Sequence, residues 1–440
     1  MNDSTNSKPA PDRSGSAEPA AISIIQRGNL KSLEKTLRKQ WRLGQSIVLC
    51  WSADENGLLV IFVPHYFLGN YCAVDESVND HGSENEVFIR QLISGKRRKT
   101  RDELFAIADR LGVAPTFIKL SSALSEEANV EAAVEQLIKR YGLSYVDNRA
   151  VLLFDIANFS LYTPFEQASQ LNSLSYSLNS AYNKLLAQGI EVNFARTTTG
   201  DGYYVWNRNL EVSASQDLYC FLLLVIADNT VARAASKGNT VPVIRTAYHI
   251  GSHYELYQAE GVSPTVFSYI VGDVTIELAR MVDLAQPDQI LIGDFKCAMP
   301  VRDSAVPGQT TMLSAPAFIR SCNRELGSLS GTQLSGKSIQ SMRSELTESE
   351  GASEGSVPRR FRITDKHGLS RHAYNLQVEI DLQGEELWLG LDSSRLPGRQ
   401  AAAETEAKKS SPKVAASPEE MYDDLAFMLK KRAQKEIIED

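Results

Sequence analysis

Two carboxylates are the residues best set to do chemistry in this chain. Asp155 ends the apolar run Val151-Leu152-Leu153-Phe154-Asp155-Ile156 and is followed by Ala157-Asn158-Phe159-Ser160. Asp201 stands between two glycines, in Thr199-Gly200-Asp201-Gly202. An apolar run closing on a carboxylate reads as a buried strand, and Asp-Gly between apolar and aromatic runs reads as a hairpin tip. If the strands pair, Asp155, Asp201 and the carbonyl of Ile156 converge as hard oxygen ligands for divalent cations. Two such ions can activate a hydroxyl and neutralise departing pyrophosphate when the hydroxyl attacks an α-phosphate. Taken singly, each residue also fits a plain role, Asp-Gly as a favoured turn and Asp155 as a cap on the next segment.

The surrounding pattern supplies elements able to position these groups. Thr163-Pro164-Phe165-Glu166 gives an N-cap, a first-turn proline and a capping-box glutamate. Leu171, Leu174, Leu178, Tyr182 and Leu185 then recur at helical spacing up to Gly189. The runs 190–196 and 203–206 flank the Gly200-Asp201-Gly202 turn as a hairpin. A second long helix is expected over 213–236, then strands over 241–250 and 268–272, a helix over 274–284 and a strand over 289–293. The order βαββαβ predicts an α+β fold, a ferredoxin-like split sheet with helices on one face.

Composition sets the frame. At 440 residues and 43% hydrophobic content the chain can bury a large core, and its length suggests about two or three domains. With 46 Lys+Arg against 54 Asp+Glu, the balance argues against a surface built to grip nucleic acid or anionic lipid. Cys50, Cys72, Cys220, Cys297 and Cys322 are odd in number and lack a C-x-x-C pair, which indicates reduced thiols rather than a disulfide framework or a zinc site. Residues 1–20 read as disordered, with no secretory signal. The longest apolar run, 218–227, is about half of a membrane span and reads as a buried helix, so a cytoplasmic protein without membrane attachment is expected.

Residues 21–145 read as an N-terminal regulatory or packing region with an α/β pattern. Within it the basic run Gly95–Arg101, a helix stopping at Gly112 and a possible second helix near 115–120 have the outline of a helix-turn-helix, although any two helices about a Gly turn share it. Residues 301–358, crowded with Ser, Gly, Thr and Glu, read as a flexible linker, 359–395 as a small C-terminal β-rich sensor module, and 396–440 as a linker with a terminal helix over 417–438.

Four motifs in order over about 150–293 resemble the class III nucleotidyl cyclases, the adenylate and guanylate cyclases. Asp155-Ile156-Ala157-Asn158-Phe159-Ser160 matches the family's D-I-x-G-F-[ST], with Asn158 where the family has Gly, and Gly200-Asp201-Gly202 matches its GDG hairpin. Arg245-Thr246-Ala247-Tyr248-His249-Ile250-Gly251 looks like its R-x-G-x-H-x-G strand. Gly272-Asp273, opening a helix that reaches Arg280, resembles its G-D-x-V-N-x-A-x-R segment. The resemblance implies two metals, Mn²⁺ or Mg²⁺, on Asp155, Ile156 and Asp201. It also implies contacts from Phe159 and Ser160 to a nucleoside triphosphate, with Arg280 stabilising charge on the α-phosphate. A homodimer with active sites shared between protomers is implied as well.

The departures fall at base- and ribose-reading positions: Thr197 and Tyr269 replace the purine readers, and Ile276 replaces the ribose-orienting asparagine. Losing both purine readers leaves a purine edge unmatched. The pattern resembles bacterial antiphage pyrimidine cyclases, which implies cyclic CMP (favoured) or cyclic UMP made from CTP or UTP as a signal to a downstream effector. Arg196, beside Thr197, could donate to the O2 and N3 acceptors of cytosine, or be an exposed cation on a hairpin strand. An adenylate or guanylate cyclase with a divergent base pocket, and a catalytically inactive nucleotide-binding regulator, are the alternatives.

Overall fold

Continuous apolar runs, Ile47–Trp51 and Leu58–Val63, make Ser46–Asp54 (β1) and Gly57–Pro64 (β2) an antiparallel hairpin buried on both faces, and Thr116–Lys119 (β3) pairs with β2. The described residues are 22–73, 82–209, 211, 213–259, 266–300, 309–347, 358–364 and 370–392 of a computed structural model. Helices cover both faces of the three-stranded sheet. Leu33, Leu37 and Trp41 of α1 (Ile24–Trp41) and Val134 and Ile138 of α5 (Ala128–Arg140) pack with Val48, Trp51, Leu58 and Val60. On the other face, α3 (Gly82–Ser94) and α4 (Arg101–Leu111) bury Leu92 and Leu104 with Leu49 and Ile61, and the short α2 (Phe67–Cys72) lies alongside.

The helix-turn-helix outline does not survive. Gly112 ends α4 in the left-handed region at φ +64°, and the next element is strand β3, because Thr116-Phe117-Ile118 are strand formers and a sheet edge is available to them. The basic run is also used internally. Lys96 and Arg98 pair with Glu131, and Arg101 pairs with Asp54. Arg97 is fully buried and donates to the carbonyls of Leu49, Ile93 and Leu143, tying this N-terminal body to the start of the next strand.

That strand, β4 (Leu143–Ile156), is the axis of the main body. It is followed by α6 (Pro164–Ala187), β5 (Phe194–Thr198), β6 (Gly202–Asn207), α7 (Ala214–Ala235) and β7 (Ile244–Ala259). The spatial order β7-β4-β6-β5, with every pair antiparallel, is the ferredoxin-like βαββαβ arrangement, and the fold is α+β as expected. The β7–β8 hairpin adds β8 (Val266–Val271), α8 (Asp273–Leu284) follows, and β9 (Ile290–Gly293) runs parallel to β7.

The pleat sorts side chains between two cores. Leu152, Phe154 and Val205 face α6 and α7, while Val151, Leu153 and Trp206 face α8. Helix α7 is apolar all round and, among the described residues, is the helix long and apolar enough to cross a membrane. Most of it is buried in the first core, as the 218–227 run predicted.

The expectation for 301–358 is corrected over its described residues. After the ladder of β10 (Lys296–Pro300) and β11 (Thr310–Ser314), α9 (Ala315–Glu325) buries Ala315, Phe318, Ile319 and Cys322 against α7. After β12 (Gln333–Leu334), strand β13 (Lys337–Leu346) enters the main sheet. Nor do β14 (Arg360–Thr364), β15 (Ser370–Leu382) and β16 (Glu385–Leu389) make a separate module: β15 pairs with both β13 and β9, extending the central sheet. Buried Asn375 of β15 accepts from Gln289 Nε2 at 3.0 Å and donates to the Leu391 carbonyl at 2.7 Å. Residues 365–369 and 393–395 of the expected sensor module, and the expectations for 1–20 and 396–440, lie outside the described residues.

Because Phe318 is completely buried, Phe318→Ala should lower the unfolding free energy by about 3–5 kcal/mol in urea titration. A flexible linker at this position would leave the transition unmoved.

Candidate active site

The register of β4 with its two neighbours builds the site. Asp155 lies opposite Gly202 of β6 on one side and Arg245 of β7 on the other. The Ile156 amide donates to the Asp201 carbonyl at 2.9 Å, so the hairpin tip is fastened beside the end of β4. Each glycine around Asp201 has its own reason. Gly200 holds φ +104°, and a Cβ on Gly202 would come within 1.9 Å of the Phe154 carbonyl oxygen. Asp155, Ile156 and Asp201 are therefore brought together at the end of β4.

Asp155 is 8% exposed, and its Oδ2 accepts from Arg245 Nε at 2.8 Å and also from Nη2. Burial pushes its pKa up. The Arg245 hydrogen bonds and charge pull against that shift, and the Asp201 and Asp283 carboxylates add to it, leaving the group above the ordinary carboxylate value. Asp201 is partly exposed and accepts from Thr199 Oγ1 at 3.2 Å.

Among the described residues no group of three or more His, Cys, Asp or Glu is gathered for a metal ion. The available donor set is two carboxylates and a backbone carbonyl, all hard oxygens. That set fits Mg²⁺ or Mn²⁺, since a magnesium site commonly takes one or two carboxylates and completes its shell with water and substrate phosphate. The burial and like charge that raise Asp155 are what a bound cation would relieve.

Next in the chain, Asn158 occupies the left-handed region at φ +58°, where few residues other than Gly are comfortable. The departure from the family's glycine thus keeps the backbone shape. A 3₁₀ turn, Phe159–Leu161, follows, and Gln167 Nε2 of α6 donates to the carbonyls of Phe159 at 3.0 Å and Tyr162 at 3.1 Å. A left-handed residue followed by a right-handed turn aims successive amides to one side, a concavity suited to phosphate oxygens. Ser160 is exposed on this turn, and the Thr163–Glu166 capping box starts α6 just beyond.

Helix α8 covers the same sheet face as Asp155. Gly272 opens it at φ +152°, where a Cβ would lie 2.9 Å from His253 Cα. Val274, Leu278, Met281 and Val282 are its buried side. Arg280 lies off that side with Nη1 3.8 Å from Asp283 Oδ2, and Ile276, one turn earlier, is 46% exposed. Thr197 lies opposite Tyr204, which faces α8 and donates its hydroxyl to the Thr275 carbonyl at 3.0 Å. Tyr269 is on β8, which contacts β5, the strand of Thr197.

Of the two readings of Arg196, the strand register bears on the base contact. It pairs with Val205, whose side chain belongs to the opposite core, and its guanidinium lies 5.4 Å from the Tyr203 ring on that face. Adjacent strand residues point to opposite faces, so if Thr197 faces the base, Arg196 does not.

Sequence reasoning left Arg245, Asp283, Tyr204 and Gln167 without roles. Arg245 could have been found, because it opens the R-x-G-x-H-x-G run. Asp283 carried no signal beyond its three-residue spacing from Arg280.

No protein-family model matches the chain, and no curated protein matches it. Solved structures similar to it include the guanylate cyclase domain of RhGC from Catenaria anguillulae in complex with GTP, at 14% identity and TM-score 0.27, over 40% of this chain and 98% of that one. The adenylyl cyclase CyaB from P. aeruginosa is also 14% identical, with TM-score 0.27, over 39% of this chain and 94% of that one. A class III adenylyl cyclase-like ATP-binding protein from Pseudomonas aeruginosa is 14% identical, with TM-score 0.29, over 42% of this chain and 41% of that one.

The raised pKa of Asp155 fixes the sign of a pH effect. The folded chain holds this proton more tightly than the unfolded chain, so the group's contribution to stability is present below the ordinary carboxylate range and lost as pH rises through the raised value. A divalent cation needs the ionised form, so stabilisation by Mn²⁺ should run the other way, larger at about pH 8 than at about pH 5. Thermal melts with and without Mn²⁺ measure this, and the shift should vanish in Asp155→Asn.

Proposed function

We propose that this chain is a metal-dependent nucleotidyl cyclase of the class III kind that acts on a pyrimidine nucleotide. It would convert CTP, or UTP, to the 3′,5′-cyclic monophosphate and pyrophosphate, and the product would serve as a second messenger to a downstream effector in antiphage defence. The observation that carries the reading is the fastening of Asp201 beside Asp155 at the end of β4.

In the reaction, the 3′-hydroxyl oxygen bonds to the α-phosphorus as the bond from that phosphorus to the pyrophosphate oxygen breaks, and the hydroxyl proton passes to solvent water. Asp155, Asp201 and the Ile156 carbonyl would hold Mn²⁺ or Mg²⁺, which when bound acidifies the hydroxyl and neutralises the leaving group. The Phe159–Ser160 turn would bind the phosphate chain with backbone amides and the serine hydroxyl. Arg280 would offset charge gathering on the α-phosphate oxygens through a bidentate fork. Asp283 would compete for Arg280 until a triphosphate displaces it.

Thr197 and Tyr269 are proposed to face the base. Each presents a hydroxyl able to donate or accept, in place of the dedicated readers of a purine edge. Ile276 gives the ribose an apolar contact. A homodimer with shared sites is supported by exposed apolar side chains near these elements, Leu161 and Phe165 after the phosphate turn and Ile276 and Leu284 on α8. The competing reading, a binding protein without turnover, is favoured by the hold of Arg245 on Asp155 and of Asp283 on Arg280.

Incubation of the protein with ATP, GTP, CTP and UTP plus Mn²⁺, followed by separation of products, decides between them. Cyclic CMP or cyclic UMP should form, and Asp201→Ala or Arg280→Ala should each cost about 10²–10³-fold in rate. Mixing the two variants should restore activity if one protomer supplies the carboxylates and its partner the arginine. Absence of any cyclic product, or product undiminished in Asp201→Ala, rules out the enzyme.

A further inference from the structure

Helix α8 is held from a second direction by a strand outside the ferredoxin-like core. Glu277, on its flank, forms an ion pair with Arg371 of β15, and both side chains are about four-fifths buried. Glu277 and Arg280 are three residues apart and therefore neighbours on the helix surface. We propose that Arg371 is a positioning residue for the candidate active site: through Glu277 it fixes where α8 presents Arg280, so the C-terminal strands β14 and β15 form part of the catalytic apparatus. This rests on the reading of Arg280 as the group that meets the α-phosphate.

The surroundings favour that role over incidental surface pairing. Arg371 lies opposite Ile363 of β14, and Ile363 and the nearby Ala373 belong to the apolar core that contains Leu278 and Met281 of α8. The opposite side of this strand pair is anchored separately. Arg360 pairs with Asp294 just after β9 and contacts His372 Nδ1 at 3.1 Å, and the Tyr374 hydroxyl donates to Asp294 at 3.3 Å. His249 of β7 is also near Arg371. Burial first, and the Arg371 charge second, lower its pKa to about 4, so at neutral pH it is uncharged and does not compete for Glu277. The Glu277–Arg371 pair thus joins a strand braced on β9 to the helix whose next turn carries Arg280. A planar, five-donor guanidinium fixes a carboxylate's direction as well as its distance.

The test uses the full chain and the variants Arg371→Ala, Arg371→Lys and Glu277→Gln, with the reversed pair Arg371→Glu plus Glu277→Arg. In Arg371→Ala, kcat for cyclic product should fall about 10- to 100-fold with KM changed less than about threefold, as expected when a reacting group is misplaced rather than substrate binding lost. Lysine should recover part of the rate, and the reversed pair should recover more than either of its single changes. Amide exchange of the 273–284 peptide should quicken about tenfold in Arg371→Ala, because α8 is less restrained.

Unchanged kcat in folded Arg371→Ala, or a reversed pair no better than its single changes, would overturn the proposal. Unchanged amide exchange would also overturn it, whether or not the wild-type chain forms product. If Arg371→Ala does not fold, Glu277→Gln carries the same comparisons. A wild-type chain inactive on all four triphosphates would instead refute the reading of Arg280, while amide exchange would still decide whether Arg371 holds the helix.

Discussion

The site depends on the double register of β4. Because Asp155 is opposite Gly202 on one neighbour and Arg245 on the other, one strand position meets both the hairpin tip and the cation. Slipping either pairing by one residue would turn Asp155 toward α6 and α7 and bring Phe154 to the site face. The register is pinned far from the site as well. Irregular pairing between Val146 and Arg149 accommodates Asn148 at φ +51°, and buried Arg97 holds the carbonyl of Leu143 at the strand's beginning. The N-terminal body thus contributes to the geometry at Asp155 without touching it.

Burying a carboxylate at that position is unfavourable, and Arg245 offsets only part of the effect. A single guanidinium satisfies Oδ2 and supplies one opposite charge, while desolvation, Asp201 and Asp283 act against ionisation. The result is a buried carboxylate whose pKa stays above the ordinary value. An apolar or fully paired residue at 155 would make a quieter sheet. On α8, Arg280 Nη1 lies 3.8 Å from Asp283 Oδ2, an ion pair between neighbours three residues apart on the helix.

Much of this was legible in the chain itself, for physical reasons that also explain the failures. The βαββαβ order was readable because its helices carry strong signals, the Thr163–Glu166 capping box and the apolar α7, and because Gly200 and Gly202 bracket an unmistakable turn. Asp155 and Asp201 followed from strand pairing alone. The C-terminal third was misread because strand signals there are diluted: β13 is Lys-Ser-Ile-Gln-Ser-Met-Arg-Ser-Glu-Leu, and its shifted pairing between Ile339 and Ser341 interrupts the period-two alternation. The spacing of Ala315, Phe318, Ile319 and Cys322 did carry a helical signal, hidden by the Ser- and Gly-rich composition around it. Which face Arg196 occupies could be settled only by register, since one position separates the site face from the core face.

The departures from the cyclase pattern divide into two physical kinds. At Asn158 the changed residue preserves a left-handed backbone conformation, so the turn after β4 keeps its form. Gly202 and Gly272, where added Cβ atoms would strike backbone, keep the close approaches that join β4 to β6 and β7 to α8. At Thr197, Tyr269 and Ile276 the change falls on side chains and leaves the strands and helix intact. The first kind preserves backbone geometry, and the second changes side-chain chemistry on a backbone that the sheet and helix hold in place.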